Sequence, residues 1–289
     1  MTSITRKAYA KINLTLDVGS RRPDGYHDIA SIMQTVALHD TLTITPTPDV
    51  PGVRLEVTGP EAEGVPADDT NLVYRAAARL QKIVSVGGLH ITLHKEIPSQ
   101  AGLGGGSSDA AATLLAVNDL YGLSLSLQQL SDIGAALGAD VPFFLTGGTA
   151  LVKGLGEQVT PIEPLTAPWR LVIVKPNVGV STAGAYAALD AVPNRRSGTA
   201  TDAMLNGEMR LGNDFEAVIL PAYPKIAAAS AALSWTPQTD ESFKPLLCGS
   251  GSAFFKRVST REEGERLAQR IEAAGLGKAW VTATQGECE

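Results

Sequence analysis

Residues Pro98 to Asp109 read PSQAGLGGGSSD and run straight into AAATLLAVNDLY, a helix-forming stretch. Glycines at 102, 104, 105 and 106 let the backbone take positive φ and approach a ligand with no Cβ in the way. A helix that follows adds free N–H groups and the positive end of its dipole, a site for an anion such as phosphate. The loop is neither of the two familiar nucleotide loops. No Lys follows the glycines as G-x-x-x-x-G-K-[ST] demands, and Ser107 stands where G-x-G-x-x-G, counted from Gly102, needs its last glycine. Asp140, in Gly138-Ala139-Asp140-Val141-Pro142, read singly is a turn or cap residue, and Lys11 read singly is a solvated strand lysine. Beside a phosphate loop the two offer more. Phosphoryl transfer to an alcohol needs a carboxylate to steer or accept the hydroxyl proton, and a cation to stabilise charge on the transferring group.

Tyr26 and His27 follow the turn Arg21-Arg22-Pro23-Asp24-Gly25, and Tyr186 lies in VSTAGAY. Singly such rings pack in cores; together they can stack on a flat base, with His27 bonding its edge. His39, His90 and His94 lack metal-site spacing with acidic or thiol partners. Cys248, beside a glycine turn, reads as a buried inert thiol, and Cys288 as an exposed one near the end. Arg195-Arg196 reads as part of a solvated loop.

These residues need elements to hold them. From Lys7 to Val18 apolar and polar residues alternate, so Lys11 and Asn13 project together from one strand face. The runs 41–45 and 53–58 flank a Pro-rich turn and predict a hairpin. A helix capped by Asp69 or Thr70 carries Leu72, Ala76, Leu80 and Ile83, and a strand with Leu89, Ile91 and Leu93 on one face feeds the glycine loop. Ser126 with Gln129 forms a capping box for a further helix, ended by Gly138. Beyond a Pro- and Gly-rich stretch at 154–167 come a short strand at 171–174 and a polar excursion at 193–213, either a mobile loop or a short surface helix. A second glycine turn at 249–251 follows, then a helix capped by Thr260 and a last strand at 279–284. The mixture indicates an α+β chain. Its 289 residues suggest about two domains. The net charge of −6 argues against a nucleic-acid surface. Two cysteines make no disulfide framework, and no signal core or apolar run long enough for a membrane span occurs, so a soluble, cytoplasmic protein with no membrane partner is expected.

Taken together, an early strand with Lys11, the loop PSQAGLGGGSSDAA and the late turn CGSGSAFF resemble, in that order, the three motifs of the GHMP kinase superfamily. The stretches AYAKINLTLDV, RPDGYHDIASIMQTV, GADVPFFLTGGTALVKGLGE, VSTAGAY and NDFE extend the resemblance over nearly the whole chain, toward a branch whose acceptor is a cytidine diphosphate-linked methylerythritol. The resemblance implies a two-domain fold: an N-terminal ribosomal-S5-like, ATP-binding domain over 1–155 and a C-terminal ferredoxin-like domain over 156–289. It implies ATP and Mg²⁺ as cofactors. Lys11 and Asp140 correspond to the catalytic pair, with Asp140 as base or aligner. Pro98, Ser99, Gln100, Ala101, Gly102, Leu103, Gly104, Gly105, Gly106, Ser107, Ser108 and Asp109 correspond to the segment around the ATP phosphates, and Asn71 and Lys95 to the adenosine side. Asn13, Tyr26, His27 and Tyr186 correspond to the substrate side, with Tyr186 stacked on cytosine. Asp109 stands where some relatives carry Asn. The Mg²⁺ ligands stay open, with Ser107 or Ser108 able to supply an oxygen. Two other readings stand beside this one: a sibling kinase for homoserine or a mevalonate derivative, and a non-catalytic nucleotide-binding regulator.

Overall fold

The computed structural model of the chain describes residues 2–84, 86–165, 167–235 and 244–285; Cys288 lies outside them. The first and longest strands, β1 (Ile4–Arg21) and β2 (His27–Thr47), pair antiparallel along most of their length. They are joined by the predicted turn, where Gly25 takes a φ of 89°. Most of β2 was not legible as a strand. Its stretch SIMQTV is buried on both faces, which erases the period of two that betrays a half-buried strand.

The predicted hairpin does not form. β3 (Val53–Thr58) is followed by α1 (Leu72–Ile83) and then β4 (Gly88–His94). β4 inserts between β2 and β3, antiparallel to the one and parallel to the other. Burial gives the reason. Leu89, Ile91 and Leu93 are all but fully buried, whereas β3 buries only Leu55, so the more apolar strand takes the inner place. The helix between them supplies the crossover a parallel pair requires. The cap of α1 is Asn71, whose side chain accepts from Val73 N, while Asp68 takes up Thr70.

The glycine loop gives way at Gly105 to α2 (Gly105–Leu120), so the helix starts within the loop's own glycines. The capping box of α3 (Leu127–Ala135) is present as read, although the helix ends three residues before Gly138. A six-residue helix that the sequence reading missed, α4 (Val141–Thr146), starts directly after Asp140. β5 (Thr149–Gly154) and β6 (Gln158–Pro161) form a hairpin whose first strand pairs with the early part of β2. β6 lies beyond residue 155 yet belongs to this first, seven-stranded sheet.

The remaining chain builds a four-stranded antiparallel sheet in the order β11-β7-β10-β9. Its strands are β7 (Arg170–Lys175), β9 (Leu246–Leu247), β10 (Phe254–Val258) and β11 (Lys278–Ala283). Between β7 and β9 come α5 (Thr182–Asp190), α6 (Ala200–Leu205), the two-residue β8 (Gly212–Asn213), α7 (Glu216–Ala222) and α8 (Pro224–Ala232). α9 (Arg261–Ala273), capped by Thr260 as read, packs its Gly264 on Val172, Val258 and Val281. Among the described residues no single helix is long and apolar enough to cross a membrane.

The polar excursion at 193–213 is neither loose nor merely superficial. Arg195 donates to the carbonyls of Val18 and Gly19, Asp17 accepts from the amides of Ala200 and Thr201, and β8 pairs with β1. Arg195 and β8 thus occupy an edge of β1 that would otherwise be left unpaired.

β1 does not keep the strict alternation of its sequence. The register slips between Tyr9 and Ala10 and again between Asn13 and Thr15. Ala8, Leu16 and Val18 therefore join the core under α1 and α2, while Ala10, Ile12 and Leu14 join a second core with Trp169, Leu171, Ile173 and Phe255. A bulge turns a strand's faces over. Between the two slips the polar residues Lys11 and Asn13 are thereby turned toward the glycine loop while the apolar ones hold the second sheet.

Candidate active site

Two glycine turns meet on β1. Lys11 N donates to Leu103 O (3.0 Å), Ala253 N to Ala101 O (3.0 Å) and Gly249 N to Asn13 Oδ1 (3.0 Å). Gly102 (φ 78°) approaches the second turn so closely that a Cβ would lie 1.8 Å from Cys248 O. Gly104 (φ 73°) occupies the N-cap position of α2, and a Cβ there would strike the ring of Phe144. The first turn of α2 thus consists of Gly105, Gly106, Ser107 and Ser108. Its leading amides have no partner within the helix and face the anion-attracting end of the dipole. Ser108 is not free, since its hydroxyl donates to Tyr9 O (2.6 Å). Ser107 lines the neighbouring cleft.

That cleft, about 800 Å³, is walled by β1, the glycine loop, the start of α4, α5 and the 249–250 turn. At one end Lys11 Nζ, almost fully buried, lies 3.9 Å from Asp140 Oδ2 and donates to Asn13 Oδ1 (2.7 Å). Asn13 in turn donates to Ser31 Oγ (2.8 Å), so the position of the ammonium is fixed through two shells. Asp140 makes no cap bond with its side chain, which stays 30% exposed toward the cleft. A carboxylate that caps nothing, sits beside a buried cation and faces a phosphate-ready helix end is free to handle a proton.

At the other end His27 and Tyr186 stack at 4.9 Å and 21°, and Tyr186 meets Phe215 edge-on at 5.0 Å. Tyr26 lies apart from that stack, 62% exposed at the rim. One face of Tyr186 is therefore covered by His27. Burial, and then the charge of Asp140, push the Tyr186 hydroxyl above its ordinary range. Four polar residues that sequence reading passed over also line the cleft: Arg21, Asp190, Thr182 and Ser250. The last two share a hydrogen bond of 3.0 Å. Asp190 was within reach of a reading, since it follows Tyr186 by four residues, one turn along the same helix face.

Three of the residues that the resemblance assigns to the nucleotide do not line this cleft. Asn71 spends its amide on the α1 cap and on Pro66 O (2.7 Å). Lys95 turns inward, where its ammonium bridges Asp40 and Asp109, the latter at 2.8 Å, and all three are buried. Asp40 also accepts from the amides of Glu96 and Ile97 (2.9 Å). Burial works to lower the Lys95 pKa but the two carboxylates outweigh it and raise it. Burial raises that of Asp109. A Cβ on Gly105 would come within 3.3 Å of Lys95 Nζ. Lys95 and Asp109 thus brace the loop from beneath rather than face the cleft. Cys248 is buried and its thiol is pushed up to about 12, chiefly by burial, as suits an inert core residue.

Fold and cleft together define a GHMP kinase, an ATP-dependent small-molecule kinase of two-domain α+β architecture. The family described as GHMP kinases N terminal domain matches residues 71–148. A 4-diphosphocytidyl-2-C-methyl-D-erythritol kinase from Moorella thermoacetica is 44% identical, covering 94% of this chain and 96% of the relative. One from Geobacter sulfurreducens is 41% identical, covering 98% of each. The crystal structure of a 4-(cytidine 5'-diphospho)-2C-methyl-D-erythritol kinase superposes with a TM-score of 0.77 at 33% identity, covering 98% of this chain and 100% of that one. A homoserine kinase from Cytophaga hutchinsonii shares the fold, with a TM-score of 0.72 at 19% identity over 100% of this chain and 96% of that one. The chain belongs to the 4-diphosphocytidyl-2-C-methyl-D-erythritol kinase family.

Proposed function

We propose that this protein transfers the γ-phosphoryl group of ATP to the 2-hydroxyl of 4-diphosphocytidyl-2-C-methyl-D-erythritol, giving the 2-phosphate and ADP, a step toward isoprenoid precursors by the non-mevalonate route. The observation that carries the reading is one cleft with the Lys11–Asp140 pair and the start of α2 at one end, and a ring-lined wall about His27 and Tyr186 at the other. Its two ends suit an acceptor whose reacting alcohol and flat base are held apart by a diphosphate.

In this reading the loop from Pro98 to Asp109 wraps the ATP phosphates, with the amides of Gly105, Gly106 and Ser107 as anion donors. Asp140 aligns the acceptor hydroxyl and takes its proton as the phosphorus–oxygen bond forms. A loose transition state asks more of its position than of its basicity. Lys11 stabilises charge on the transferring group. Asn13 holds Lys11, while Tyr26, His27 and Tyr186 receive the base. The oxygen donors fit Mg²⁺ carried in on the nucleotide. Among the described residues no cluster of three acidic, His or Cys side chains could hold a metal alone, whereas the Ser107 hydroxyl suits an ion that keeps its waters and phosphate ligands. Bound there, the ion neutralises phosphate charge.

The test is ADP release with Mg-ATP and this acceptor, beside homoserine, mevalonate and no acceptor. Turnover with the cytidine-linked acceptor alone is expected, and loss of more than about 100-fold in kcat on Asp140→Ala. Turnover with another alcohol instead, or an Asp140→Ala enzyme that keeps most of its rate, contradicts the reading.

A further inference from the structure

His27 and Asp190 form a pair that phosphoryl transfer itself does not use. His27 Nε2 lies 2.8 Å from Asp190 Oδ1, and the imidazole is buried between that carboxylate and the ring of Tyr186. Tyr186 and Asp190 come from the same helix, α5, one turn apart, so a single element fixes both the stacking and the hydrogen bonding of the imidazole. Asp190 is itself tethered, with Arg21 Nε 3.8 Å from its other oxygen. An ionised carboxylate only accepts hydrogen bonds. The ring nitrogen facing it must carry the proton, which leaves Nδ1 of a neutral ring as a lone pair. Among the described residues no other side-chain hydrogen bond engages the His27 ring, and His27 lines the cleft.

We propose that Asp190 is a positioning residue that fixes His27 as a hydrogen-bond acceptor toward the cleft and so makes the site select a base with an exocyclic amino group over one with a carbonyl there. The proposal rests on the acceptor assigned under Proposed function. Cytosine offers an amino group on its pairing edge where uracil offers an oxygen, and an oxygen set against the Nδ1 lone pair leaves two acceptors face to face, both desolvated.

The experiment compares the cytidine-linked acceptor with its uridine-linked analogue in the wild type, Asp190→Ala and Asp190→Asn, with ¹⁵N NMR of the histidines at neutral pH. The wild type should favour the cytidine acceptor in kcat/KM by at least ~10-fold, the worth of one well-placed hydrogen bond. Asp190→Ala should raise KM for the cytidine acceptor ~10-fold with kcat and ADP affinity nearly unchanged, and should shrink the preference for cytidine, because the freed imidazole can present either nitrogen as donor. Asp190→Asn, whose amide oxygen still accepts, should restore most of that preference. The wild-type NMR spectrum, which needs no variant to fold, should show a proton on Nε2 of His27 and none on Nδ1.

A proton on Nδ1 of His27, or an unaltered cytidine preference in Asp190→Ala, overturns the role of Asp190 even if the wild type is fully active. A wild type idle toward the cytidine acceptor but active on another alcohol overturns the assigned acceptor instead, while the NMR arm still reports on the His27–Asp190 pair.

Discussion

Alanine at position 102 tests whether the two glycine turns work as one platform. Gly102 holds a φ of 78°, where a Cβ costs about 1–2 kcal/mol. That methyl would also stand 1.8 Å from Cys248 O and 2.7 Å from its carbonyl carbon, backbone atoms that cannot rotate away. Restoring van der Waals separation requires the turns to part by about 1.5 Å. Parting stretches the bond from Ala253 N to Ala101 O and the weaker one from Ser252 N to Gln100 O, each worth about 1 kcal/mol. Gly102→Ala should therefore cost about 3 kcal/mol and lower Tm by roughly 6–12 °C, with ADP affinity reduced at least ~10-fold because the same loop carries the phosphate-facing amides. Gly122→Ala is the control. Its φ is 59°, but nothing lies within 4 Å of the added methyl, so only the backbone cost of about 1 kcal/mol applies. Calorimetry and ADP titration on the two variants decide the matter. If Gly102→Ala is no costlier than Gly122→Ala, the turns are not mechanically joined and the reasoning fails.

Lys11→Met should lower kcat by ~100- to 1,000-fold while ATP and acceptor affinities stay within a few-fold, checked by steady-state kinetics and direct titration. Lys95→Met should cost about 3–5 kcal/mol in denaturant unfolding, since it leaves the buried carboxylates of Asp40 and Asp109 without their cation. The Cys248 thiol should resist alkylation at pH 8 until denaturant is added. An acid held un-ionised in the fold keeps its proton where the unfolded chain has lost it. Stability should therefore fall as pH rises from 9.0 toward about 12, by about 1.4 kcal/mol per unit relative to Cys248→Ala.

Local grammar was the legible part of the fold. The Ser126–Gln129 capping box, the Thr260 cap and the turn at 21–25 each depend on neighbours within a few residues, and each stands where its residues indicate. Strand partnership was not legible, because it is decided by competition for burial between segments far apart. The runs at 41–45 and 53–58 look like a hairpin until β4, more apolar than β3, takes the place between them. Of the site, Lys11 and Asn13 were correctly placed side by side, but the two register slips that turn them toward the glycine loop leave no mark in the alternation itself. The resemblance set Lys95 on the adenosine side, and its buried partners were not legible. Its carboxylate partners come from β2 and α2, separated from it by 55 and 14 residues, and no window on the sequence joins the three. Asp190 was overlooked for a simpler reason. Its place one turn after Tyr186 sets it at the cleft, but no local pattern pairs it with a histidine 163 residues away.

The most direct measurement is phosphorus NMR of the purified protein turning over 4-diphosphocytidyl-2-C-methyl-D-erythritol with Mg-ATP. Carbon 2 of the acceptor carries a methyl group and no hydrogen, so a phosphate on its oxygen has no proton three bonds away. The account predicts ADP together with one new monoester signal free of three-bond proton coupling. A new signal split by neighbouring protons would put the phosphate on another hydroxyl, and ADP without any new monoester would mean water rather than the acceptor took the phosphoryl group. Either would contradict the alignment of the 2-hydroxyl by Asp140 and Lys11.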